Sequence, residues 1–123
     1  MSGCKKIIEK QKENFVLSVM TEGQWTITKF VMAGDTITSD FSEYSFQFNR
    51  DYTVDAIREN APTIKGNWEG DPDAMNIVAL FPLSSEPLSL ITGTWHIEDN
   101  SLSYVVASLQ NGPEERALRL EKK

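Results

Sequence analysis

The chain has one cysteine, Cys4, and one histidine, His96. A lone cysteine excludes an intrachain disulfide and a thiolate metal cluster. A lone histidine gives neither a histidine metal site nor a Ser-His-Asp triad a place to assemble. No apolar run approaches the roughly 18–20 residues that cross a bilayer as a helix. Positive charge is scarce too: 12 Lys and Arg face 18 Asp and Glu, a net charge of -6. That sign argues against a nucleic-acid partner, because counterion release needs a basic face. The few lysines are unevenly spread, with Lys5, Lys6, Lys10 and Lys12 in the first thirteen residues, against an acidic body. Such a stem is either a solvated helix end or a segment lying near anionic headgroups.

At 123 residues, 40% hydrophobic and 10% aromatic, the chain suits one folded domain. Residues 5–22 read as a helix, with Ile7, Ile8, Phe15, Val19 and Met20 at three- and four-residue steps, and Gly23 ends it. From there the period is two. Strands are predicted at 25–32, 44–48, 53–58, 63–68, 75–81, 94–98, 102–108 and 115–121. Ala33-Gly34-Asp35, Asn49-Arg50-Asp51, Asn60-Ala61-Pro62 and Glu69-Gly70-Asp71-Pro72-Asp73 supply turns or loops, and 35–43 a polar connection with one helical turn. The strand at 75–81 is apolar on both faces, as if buried under another element. No crossover helix separates any two strands, so the sheet is expected to be antiparallel, and eight short strands favour closure into an up-and-down barrel. The expected fold class is therefore all-β: an anchor stem and helix over 1–22, then a barrel over 23–123.

Gly-x-Trp occurs three times, at Gly23–Trp25, Gly66–Trp68 and Gly93–Trp95, each predicted to open or close a strand. The glycine permits a sharp turn and the indole fills the barrel base. With Gly34-Asp35, the run Phe41 to Phe48, Thr53-Val54, Ile77 to Phe81, His96-Ile97 and Leu118-Arg119-Leu120, the pattern over residues 15–123 resembles the lipocalin-like lipoproteins of unknown function from Bacteroidetes-type bacteria. Those relatives usually carry glycine where this chain has Tyr52. The resemblance implies a barrel behind an N-terminal lipid anchor, and it brings no catalytic or ligand residues with it. Ser2-Gly3-Cys4 is similar to the end of a bacterial lipobox, although the charged and apolar regions of a signal peptide do not precede it. With the resemblance, Cys4 becomes the expected lipidation site, and the cell envelope, facing the periplasm or outer surface, the expected location.

No residue set points to enzyme chemistry. Asp71 and Asp73 lack the spacing of a calcium loop, and a solvated turn explains them. His96 alternates with Trp95 and Ile97 and is expected to face outward. The side chains assigned inward include Tyr44, Phe46, Trp68 and Tyr104, so many rings that the lining is crowded. Ala56, Gly66 and Ala79 are the small inward positions, and any pocket should have its floor there. Arg58 and Arg116 share the inward phase of their strands. At a rim either could hold a carboxylate, or snorkel into water. The expected function is thus a non-enzymatic, lipid-anchored barrel for a small apolar or amphipathic molecule, with no cofactor, no metal and no nucleic acid. The alternative is a solid barrel acting as an interaction platform.

Overall fold

The computed structural model describes residues 15–82, 86–111 and 114–123. Residues 15–21 form a helix. The strands are β1 (Trp25–Met32), β2 (Asp35–Thr36), β3 (Ser45–Phe48), β4 (Thr53–Ile57), β5 (Ile64–Asp71), β6 (Asn76–Leu80), β7 (Gly93–Asn100), β8 (Tyr104–Asn111) and β9 (Glu114–Lys122). All pairings are antiparallel, β3 to β9 follow chain order, and β1 pairs with β9. The result is the expected closed eight-stranded barrel, with β2 a two-residue addition to β1. Ala33 (φ 49°) and Gly34 (φ 86°) form the tight turn between these two, with the two positive φ values that a type I′ hairpin requires.

Alternation fixes what fills the barrel. In β4 the buried residues are Val54 and Ala56, and in β9 Arg116, Leu118 and Leu120. Each end is then closed separately. At one end the helix inserts Met20, and the Trp25 indole donates to the Met20 carbonyl at 3.0 Å. At the other, 3₁₀ turns at Thr38–Phe41 and Leu88–Leu90 bury Phe41, Leu88 and Leu90. Phe41 stacks on Phe30 at 4.6 Å, and the Trp95 indole donates to the Ile91 carbonyl at 2.7 Å.

Several details differ from the sequence reading. β5 continues to Asp71, so Gly66-Asn67-Trp68 lies inside a strand rather than closing it. β6 is covered on one face only: Ala79 is buried but Leu80 is exposed. β1 and β7 each carry a bulge, at Thr28 and Glu98, which re-phases the residues that follow. Tyr52 takes φ 67°, a left-handed conformation that glycine adopts more readily than tyrosine. The remainder of the predicted helix, and Cys4 with it, lies outside the described residues.

Candidate functional site

The barrel interior is nearly full. Ala56, Gly66 and Ala79 do lie on neighbouring strands, joined by the pairs Val54–Gly66 and Trp68–Ala79. Phe81 uses the space they leave: a Cβ on Gly66 would come within 2.8 Å of its ring and would also meet the Leu80 carbonyl. What remains is a void of about 40 Å³, lined by Phe46, Ala79 and wholly apolar neighbours. A ligand pocket begins at roughly 300 Å³. The small residues therefore make room for a side chain, not for a guest.

The other predicted site residues scatter. Trp68 sits at the helix end, its indole donating to the Asn49 carbonyl at 3.0 Å and its ring against Phe48 at 5.3 Å. Tyr104 was expected inward and is outward. Its neighbours Val105, Ala107 and Leu109 are the buried ones, and it pairs with Glu121 while Val105 pairs with Leu120. The Tyr104 hydroxyl donates to Asp99 at 3.0 Å, and that carboxylate raises its pKa above the ordinary 10.0. Arg119 lies over its ring at 4.5 Å. Arg116 is inward, but committed: it donates to the Leu90 carbonyl and to Glu114, both at 2.9 Å. That makes it a clamp on the closing turn, although its Nε stays buried without a partner. Arg58 stands with Tyr44, its guanidinium 5.1 Å from the ring centroid.

His96 is exposed, as expected, beside Asn76. Asp71 accepts from the Asp73 and Ala74 backbone N–H groups at 3.1 and 3.2 Å, the geometry of a capped turn.

Two surface clefts stand out among the described residues. The larger, about 740 Å³, runs between the helix and the β5–β6 and β7–β8 turns. Val16, Val19 and Met20 form one wall, Pro72, Met75 and Ile77 another, and Asn100, Ser101 and Leu102 the rim. Leu102 is 65% exposed, Phe15 59% and Met75 38%, large apolar groups gathered at one end. Met20, Ile77 and Val105 line both this cleft and the inner void, so a single layer separates them. Sequence reading missed this site because it placed Met75 and Leu102 at the starts of strands 75–81 and 102–108, whereas both lie in turns ahead of β6 and β8. Their one signal was an apolar residue among turn formers, as in Ser101-Leu102-Ser103. The second cleft, about 610 Å³ and lined mostly by polar residues, holds Tyr44, Ser45, Arg58 and Lys123.

No family model matches the sequence, and neither does any curated protein. Two crystal structures share the fold. A DUF4847 family protein from Bacteroides vulgatus superposes with a TM-score of 0.60 at 13% identity, over 88% of this chain and 97% of its own. A lipocalin-like protein from Bacteroides uniformis gives 0.52 at 18% identity, over 80% and 96%. The architecture is that of the lipocalin-like barrels.

Proposed function

We propose that this lipocalin-like barrel is a non-enzymatic binding module, held at the cell envelope by a lipid on Cys4, that takes a small apolar or amphipathic molecule in the cleft beside the helix. The observation that carries this reading is the gathering of Phe15, Met75 and Leu102 around an apolar trough. Covering one such side chain is worth about 1.5–3 kcal/mol, and contiguous apolar surface of this kind is what ligand grooves expose. The mechanism is burial of ligand surface, with no bond made or broken. The anchor rests on Ser2-Gly3-Cys4 and the resemblance to lipocalin-like lipoproteins, and a location facing the periplasm or outer surface follows from it.

The test is a fluorescence titration with the neutral apolar dye N-phenylnaphthylamine. Enhancement in the wild type that Leu102→Asp removes, with the fold retained, supports the cleft. No enhancement favours the second reading, a solid barrel used as a platform, for which the filled interior speaks. Labelling the full-length gene product with a fatty-acid analogue tests the anchor: label lost in Cys4→Ser supports it, and an unlabelled wild type ends it.

A further inference from the structure

The polar cleft opens where β1 and β3 part. Among the described residues, Trp25–Phe46 is the one bridge pair joining these strands. Beyond it the gap is bordered by Thr26, Tyr44, Ser45 and Arg58. Arg58 follows β4 in the phase of Val54 and Ala56, which brings it onto the Tyr44 ring. Its Nε is buried without a hydrogen-bond partner, and among the described residues nothing accepts from the rest of the guanidinium. Lys123 enters the same cleft, its Nζ donating to Ser45 Oγ at 3.1 Å.

A guanidinium offers five donors in a rigid fork matched to a carboxylate. Here the ring contact orients the fork, and only its Nε is buried without an acceptor. A second cation and the Asn60 side chain border the same space. The rim sets the charge that the cleft accepts. Glu43 and Glu59 line the cleft, both exposed, and form no ion pair with either cation among the described residues. The two cations balance the two exposed carboxylates, so one negative charge is held only where it lies directly on Arg58 and Lys123, and a second would face Glu43 and Glu59. The volume of about 610 Å³ leaves room for a polar body behind that charge. We infer that the cleft between β1 and β3 binds a small polar monocarboxylate, its carboxyl group on Arg58 and Lys123. This site is separate from the apolar cleft and stands without it.

Backbone amide NMR shifts of the full chain, titrated with glucuronate, glucose and inorganic phosphate, test the assignment. Glucuronate should shift the amides of Tyr44, Ser45 and Arg58 to Asn60 saturably, and glucose should leave them in place. Arg58→Gln should weaken glucuronate at least severalfold, since it removes the fork that holds the carboxylate. Lys123→Gln should weaken it severalfold, and added salt should do the same. If Arg58→Gln does not fold, Lys123→Gln and the salt series carry the test. No saturable shift at tens of millimolar glucuronate, unchanged affinity in the folded variants, or phosphate binding as tightly as glucuronate would each overturn the inference.

Discussion

Replacing Ala79 with leucine asks directly how much room the barrel holds. Ala79 is buried on β6 and lines the void of about 40 Å³. Leucine adds three carbons, each needing about the 30 Å³ that a water molecule claims in the liquid. Roughly twice the available space is thus demanded, and Phe81 already occupies the gap over Gly66. Overpacking of this degree costs about 1–3 kcal/mol. For a domain of this size, at roughly 4 °C per kcal/mol, the melting temperature should fall by about 4–12 °C. Thermal unfolding followed by circular dichroism reads the shift, and urea midpoints with an unchanged slope confirm that stability alone has moved. Binding of an apolar dye in the cleft beside the helix should be unaffected, since Ala79 does not line it. A melting temperature that holds or rises would refute the reasoning, because leucine would then be filling a real cavity.

Two further expectations concern the helix end. Trp25→Ala removes a fully buried ring and leaves the Met20 carbonyl without its donor, so it should cost about 3–5 kcal/mol; an unchanged urea midpoint would place that ring outside the core. Asp51 accepts from the Thr53 hydroxyl at 2.6 Å and the Thr53 N–H at 3.1 Å, and the hydroxyl is the main cause of a pKa below the ordinary 3.8. A carboxylate with a depressed folded pKa contributes stability above its unfolded value and loses it as pH falls through the folded one. Thr53→Val should therefore move the Asp51 midpoint upward in an NMR titration, and an unmoved midpoint contradicts the assignment.

Much of the barrel was legible because half-buried strands write their burial as alternation. Phe46 and Phe48, and Val54 with Ala56, did so clearly, and the three tryptophans behind glycine are all buried. Tyr104 misled because its size drew it inward, while the uniformly apolar phase of its strand was Val105, Ala107 and Leu109. The closing segments had no period to read. Phe41, Leu88, Leu90 and Ile91 are core residues held in 3₁₀ turns and loops, placed by what they cover and not by their neighbours in sequence. The expected pocket failed because three small residues predict a space without saying what fills it, and Phe81, in phase with Ala79 at the end of the predicted strand 75–81, reaches over Gly66 to fill it. Arg58 and Tyr44 could be assigned an inward phase from their strands, but not their meeting across the gap between β1 and β3.

The pairing of β1 with β9 has a consequence for synthesis. Seven residue pairs join the first strand to the last, from Trp25–Lys122 to Met32–Arg116, whereas one pair joins β1 to β3. During translation the first strand therefore leaves the ribosome without its main partner, which emerges only after β2 to β8. Loop closure over nearly the whole chain makes that final pairing slow, and until it forms β1 carries an open edge able to recruit other chains. A chain halted after Asn111 would hold every turn needed for β3 to β8 and still leave β1 unsatisfied. Truncation there should yield aggregate rather than a smaller barrel, and a chaperone that shields β1 would act over the interval from the first strand to the last.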